Sequence, residues 1–324
     1  MINKIHGIDL HKKHSTISVR NREGQEVEFT LRCYDLRYYI KFLGPEDAVV
    51  IEVSSGSFYW ADLIESRGAV YYVLDPHRFR IIRDSWNKTD KHDAWNMSKA
   101  LWVYIITEEF GIPTVYKPDI IIRELRKLFT QHNLLNRQIR MLKNNIQATV
   151  VENGLTLTSK GKSRLFSPKY GMSVFEGREL SHSSQVSIEM SFGLLWRLEE
   201  EKETLYGEIM LAGEPLKSKV ELLITIKGIR PLSALAFLAD IGDVERFKKL
   251  KKMNAYLGTV PRENESAGRS RKGHINREFR QLTRTLLTQS INHVSNASPY
   301  LRRFYENLVQ RRGAGRARIA LISV

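Results

Sequence analysis

Four carboxylates stand where packing alone gives them no reason to be. Asp9 closes the first apolar run in Gly7-Ile8-Asp9, where it either caps the next loop or holds a metal. Glu52 interrupts Val49-Val50-Ile51-Glu52-Val53, which otherwise reads as a strand buried on both faces. An isolated carboxylate is expensive to bury unless it is paired or metal-bound. Asp90 and Asp93 lie three apart in Thr89-Asp90-Lys91-His92-Asp93-Ala94, on one face at the start of a helix. For that pair alone, capping and the helix dipole are a sufficient explanation. Together the four are more specific, because two acids on adjacent strands and two on a helix face can converge on an all-oxygen site. Such donors suit Mg²⁺ or Mn²⁺, which clamp the oxygens of an in-line phosphoryl displacement. His11, His14 and His92 flank the acids and could tune or shuttle protons, although loop histidines ordinarily do neither. One cysteine and scattered histidines make no zinc pattern, and there is no Walker loop or dinucleotide fingerprint.

The elements that must position these acids follow from periodicity. Residues 5–10, 15–20 and 26–31 read as three successive strands, and 35–43 as a helix stopped by Gly44-Pro45. Residues 48–53 and 69–74 are further strands around an amphipathic helix at 57–66, and 88–107 is a long helix. The pattern predicts a mixed sheet flanked by helices. Beyond it, Leu125, Leu128, His132, Leu135, Ile139, Leu142 and Ile146 form a heptad seam, repeated by Leu195, Leu198, Lys202, Leu205 and Ile209. Two readings fit this seam: a pair of ordinary antiparallel core helices, or, the preferred one, an arm that dimerises. From about residue 221 the chain reads as helical and basic. A helix–tight turn–helix centred on Gly228 would offer backbone amides to DNA phosphate, and a glycine-rich loop follows at 265–273.

Composition narrows the class. The 324 residues carry 51 Lys plus Arg against 36 Asp plus Glu, a net charge of +15 that points to a polyanion such as DNA or RNA. Arg78, Arg80, Arg83, Lys88 and Lys91, with Phe79 and Trp86 interleaved, read as a nucleic-acid groove with stacking rings, or else as a solvated loop over a core tryptophan. Six arginines crowd the last 23 residues against the lone acid Glu306. A single cysteine excludes an internal disulfide, and no apolar run reaches the length of a membrane span or signal peptide. The expectation is a soluble, cytoplasmic, nucleoid-associated bacterial or archaeal protein with no membrane partner.

Gly-Ile-Asp-Leu-His-Lys at 7–12, Ile-Glu-Val-Ser-Ser-Gly at 51–56 and Lys-Thr-Asp-Lys-His-Asp-Ala at 88–94 resemble the motifs of the DEDD transposases. These are insertion-sequence recombinases of the IS-one-ten type, related to the Piv DNA invertases. The C-terminal half is similar too, in Thr225-Ile226-Lys227-Gly228-Ile229, Ala239-Asp240-Ile241-Gly242-Asp243 and Ala255-Tyr256-Leu257-Gly258-Thr259-Val260-Pro261. The resemblance implies an α/β RuvC-like domain of ribonuclease H fold at 1–115, a coiled-coil oligomerisation region at 116–215, and an all-α transposase domain at 216–324. It makes Asp9, Glu52, Asp90 and Asp93 the ligands of Mg²⁺ or Mn²⁺. Ser266 becomes the nucleophile that forms a phosphoserine link to DNA, with Ser270 as the alternative because Ala267 breaks the usual Ser-Ser-Gly run. Arg262, Arg269, Arg271 and Lys272 would hold the scissile phosphate. The sequence shows no base beside the serine, which would have to be carried to the metal site by domain docking, from this subunit or another. Partners implied are donor and target DNA, a structured non-coding bridge RNA, and further copies of the chain as a dimer or tetramer. The rival readings are a junction-resolvase-like nuclease without serine chemistry, a Piv-like invertase, and a nucleic-acid-binding protein with vestigial acids.

Overall fold

Short β-branched runs separated by polar turns build the first part of the protein. The computed structural model describes residues 1–79, 89–108, 111–266, 269–275 and 281–323, with backbone alone for 31, 160, 162, 163, 261–266, 269–275, 281 and 282. It divides into two compact units, Met1–Lys117 and Pro118–Val324.

In the first unit, β1 (Lys4–Leu10), β2 (Ser15–Asn21), β3 (Glu26–Cys33), β4 (Asp47–Glu52) and β5 (Val70–Leu74) form one sheet in the order β3-β2-β1-β4-β5. β1 pairs antiparallel with β2 and parallel with β4, so the sheet is mixed, as the sequence predicts. Period-two alternation divides its core. Ile8, Ile17, Val49 and Ile51 face α1 (Leu36–Ile40) and α2 (Ser57–Glu65), which contribute Leu36, Ile40, Ala61 and Ile64. Ile5, Ala48 and Val50 face α3 (Asp90–Thr107), which contributes Met97 and Leu101. α1 is shorter than the sequence suggests, with Asp35 capping it by accepting from the Tyr38 amide.

Gly7 sets how closely α3 lies on the sheet. A Cβ there would stand 2.3 Å from the Ala94 carbonyl oxygen and 2.5 Å from the Ser98 amide nitrogen, both backbone atoms of α3. Ser98 completes the join, its hydroxyl 2.9 Å from that of Ser18 and accepting from Arg20 Nε at 3.1 Å.

The second unit is built on two long helices, α4 (Ile120–Glu152) and α6 (His182–Ala212), with the short α5 (Ser159–Arg164) between them. Lys143 pairs with Glu199 at 2.6 Å, and Asn145 donates to Ser191 at 3.0 Å. Early residues of α4 therefore meet late residues of α6, and the helices run antiparallel. The heptad seams face each other within one chain: Ile139 and Ile146 pack with Ile188, Phe192 and Leu195, and Leu125 packs with Ile209. That is the core-helix arrangement, and it leaves the seam itself unavailable to a second copy. His132 is buried in it, and burial together with Lys202 lowers its basicity.

α7 (Lys217–Ile224), α8 (Pro231–Ile241), α9 (Leu250–Tyr256), α10 (Gln281–Ala297), α11 (Pro299–Arg312) and α12 (Ala314–Ile322) make the rest largely helical. One expectation fails here. The stretch expected as a glycine-rich loop in an all-α domain contains an antiparallel pair, β6 (Pro261–Ser266) and β7 (Arg269–Ile275). Its register sets Glu263 opposite Lys272. Opposite charges across a ladder favour pairing without the apolar alternation by which a strand is usually read. No helix of the described residues is long and apolar enough to cross a membrane.

Candidate active site

Strand register and helix placement bring Asp9, Asp90 and Asp93 together and set Glu52 on the strand next to Asp9. Ile8 pairs with Ile51 in the parallel β1–β4 ladder, so Asp9 and Glu52, the next residue of each, end adjacent strands. By alternation both belong to the face covered by α3, together with Gly7 and Val50. The close crossing at Gly7 brings the N-terminus of α3 to the same end. Thr89 caps it, its hydroxyl accepting from the His92 amide at 3.3 Å, and Asp90 and Asp93 fill the first turn.

The connection from β1 to β2 adds two histidines. Its backbone closes through the His11 amide on the His14 carbonyl at 3.0 Å, which holds the rings 4.9 Å apart. His11 Nε2 lies 3.1 Å from Asp9 Oδ2 and 3.3 Å from Asp90 Oδ2, and His14 Nε2 lies 4.0 Å from the same Asp90 oxygen. Asp9 is 9% exposed. Burial holds its carboxyl above the ordinary value; His11 opposes this, while Asp93 and Asp90 add to it. Several carboxyl groups around a buried one repel each other as anions, a charge pattern that a cation relieves. The donor set therefore fits a divalent metal: Asp9, Glu52, Asp90 and Asp93 supply hard oxygens, and the neighbouring imidazoles supply nitrogen.

The basic residues singled out above fare unevenly. Arg78 is exposed and pairs with Asp75 at 3.4 Å. Arg80, Arg83, Trp86 and Lys88 lie outside the described residues. Phe79 is 5% exposed and packs in the core with Ile5 and Met97, so the expectation of a stacking ring there is corrected. Lys91 stands over the Phe29 ring at 5.0 Å, and a further ring, Trp95, lies between Arg20 and Lys99 at 4.7 Å from each.

In the second unit, Gly228 adopts φ +102°, a conformation that favours glycine, between α7 and α8. With Lys227, Arg230 and His293 it lines an open notch of about 440 Å³. Ser266 and Ser270 lie on the hairpin, paired in register with Arg269 and Glu265. The side chains of these serines and of Arg262, Arg269, Arg271 and Lys272 lie outside the described residues.

Two features of the first site carry no signal in the local sequence: the close approach at Gly7 and the Trp95 stack. Gly7 and Asp9, two residues apart on β1, share one strand face, and His11 follows in the turn after the strand.

Residues 220–306 match the model of the transposase IS116/IS110/IS902 family. The chain is 24% identical over 331 residues to a probable family 20 transposase of Pseudomonas aeruginosa, covering 98% of this chain and 89% of the relative. It is also 24% identical over 290 residues to the transposase for insertion sequence element IS1111A of Coxiella burnetii, covering 84% and 74%. With a mixed α/β unit followed by a largely helical one, the chain is similar to insertion-sequence transposases, and the family match lies in its C-terminal part. More narrowly, these matches support a likeness to transposases of the IS110 type.

Proposed function

We propose that this protein is an insertion-sequence transposase of the IS110 type that cuts and rejoins DNA at a divalent-metal site made by Asp9, Glu52, Asp90 and Asp93. The observation that carries the reading is the convergence of strand ends and helix start: Asp9 beside Glu52 by register, with Asp90 and Asp93 in the first turn of the helix packed on Gly7. The strand order β3-β2-β1-β4-β5 supports the RuvC-like, ribonuclease H-type reading of this unit. A bound Mg²⁺ or Mn²⁺ would neutralise charge developing on the phosphodiester oxygens. The protein's own part is to hold the four carboxylates in place, with His11 fixing Asp9 and Asp90, and to orient the nucleic acid through cations such as Lys91.

Ser266 is the proposed nucleophile, with Ser270 one ladder position away as the alternative. Its Oγ–P bond forms as the bridging P–O bond of the DNA strand breaks, leaving a phosphoserine intermediate. Guidance by a structured non-coding RNA belongs to the same reading: pairing would select sequence while the protein grips backbone and shape. Homo-oligomers also belong to it. With the inner seam filled, Val186, Met190 and Leu194, exposed at every fourth residue of α6, are what a second copy could cover.

The test is recombination of a plasmid bearing donor and target sites. Asp9→Ala and Ser266→Ala should each abolish it while the fold and RNA binding survive, and a covalent protein–DNA species should persist on denaturing gels. Full activity of Ser266→Ala refutes that serine assignment; absence of any covalent species favours metal-only cleavage. Sequencing the RNA that co-purifies should return one discrete structured species, and random cellular RNA would sink guidance.

A further inference from the structure

The described residues that converge most tightly on a possible ion are not all carboxylates. His11, His14 and Asp90 each offer one donor atom, and the three atoms lie within 4.8 Å of one another. We propose that these residues form a nitrogen-containing cation position beside the four carboxylates, one that takes Mn²⁺ in preference to Mg²⁺. The inference rests on the carboxylate reading to the extent that Asp90 serves both.

The distances favour a shared ion over simple charge pairing. Two donors each about 2.1 Å from one metal stand about 3.0–3.4 Å apart at right or tetrahedral angles. His11 Nε2 and Asp90 Oδ2 already have that spacing, at 3.3 Å. His14 Nε2, 4.0 Å from the same oxygen, lies beyond a hydrogen bond. It would reach the metal spacing by closing about 0.6 Å. Two imidazoles aimed at one Asp90 oxygen would repel each other if both were charged, whereas a shared cation takes both as neutral ligands. The turn is also built to present both rings together: the His11 amide bonds the His14 carbonyl, and the flanking residues Leu10 and Ser15 pair across β1 and β2.

The chemistry gives the position its preference. Mg²⁺ favours oxygen ligands and keeps its water, whereas imidazole nitrogen is a better donor to first-row transition metals. Mn²⁺ accepts both carboxylate and imidazole. A site with two nitrogens and one oxygen next to an all-oxygen set would therefore hold Mn²⁺ at concentrations where Mg²⁺ exchanges freely.

The experiment is titration of the full chain with Mn²⁺ in the presence of Mg²⁺, followed by electron paramagnetic resonance with spin-echo detection of ¹⁴N coupling. The wild type should bind Mn²⁺ with ¹⁴N coupling, and Glu52→Gln should retain that coupling. The His11→Asn/His14→Asn double variant should lose it, with affinity for Mn²⁺ falling at least about tenfold. His14→Asn alone should reduce the coupling, which guards against misfolding of the double variant. Mn²⁺ bound without ¹⁴N coupling, at equal affinity in the double variant, overturns the nitrogen position and leaves the carboxylate reading standing. Failure of the wild type to bind Mn²⁺ at all overturns both.

Discussion

Replacing Gly7 with alanine tests whether the placement of α3 assembles the site. The added Cβ would meet the Ala94 carbonyl oxygen at 2.3 Å and the Ser98 amide at 2.5 Å. Neither atom can rotate away, since both belong to the helix backbone. Restoring an ordinary contact requires the helix to retreat about 1 Å, and overpacking of this kind costs about 1–3 kcal/mol. For a unit of this size that corresponds to a fall of roughly 3–15 °C in melting temperature. The acids would suffer more than the fold. Asp90 and Asp93 ride on the helix while Asp9 and Glu52 stay on the sheet, and a 1 Å misplacement of reacting groups can reduce rate by about 100-fold. Circular dichroism melting, hydrogen exchange along α3 and metal-dependent DNA cleavage should be measured on one preparation. The expected pattern is a folded, moderately destabilised protein with faster exchange in α3 and activity down about two orders of magnitude. Wild-type melting and wild-type cleavage together would refute the argument, because they would mean that α3 does not rest on Gly7.

Asp9→Asn should leave stability in chelator unchanged or raised at neutral pH, while metal-dependent DNA cleavage collapses. The folded Asp9 carboxyl sits above its unfolded value, so ionised Asp9 opposes folding, and the wild type should gain stability relative to the variant as pH falls through that folded value. Asp47 behaves oppositely. Burial pushes its carboxyl up, but hydrogen bonds from His6 and the Gly44 amide outweigh this and hold it below its ordinary 3.8. Asp47→Asn should therefore cost about 1–3 kcal/mol in urea unfolding above about pH 5, a loss that fades as pH falls below about 4. Lys91→Ala should weaken binding to all DNA sequences alike and reduce the slope of log affinity against log salt by about 1. Wild-type salt dependence would remove Lys91 from the interface.

The placement of the four carboxylates at strand ends and a helix start was legible from the sequence because strand alternation and helix spacing are local rules. Glu52 inside an apolar strand, and two acids three apart at a helix start, announce themselves without neighbours. The two histidines were legible as neighbours of the acids, but the contact of His11 with Asp90, 79 residues away, was not, since it depends on the crossing at Gly7. The helical seams were legible as seams, but their partner was not: a heptad pattern states that a face is buried and is silent on whether the covering helix belongs to the same chain. The hairpin at Pro261–Ile275 was not legible because its strands are polar and charged nearly throughout, leaving no apolar period to detect. Phe79 was misplaced by composition alone, an aromatic among arginines that the core claims.

The antiparallel pairing of α4 and α6 also makes their length adjustable. Its 33 residues give α4 a span of about 50 Å. Because the seam repeats every seven residues, inserting or deleting seven in each helix returns every buried position to its partner. The beam formed by these helices can thus lengthen or shorten in increments of about 10 Å without a new core. Transposases built on such a beam could match the spacing between the DNA segments they join by gaining or losing whole heptads.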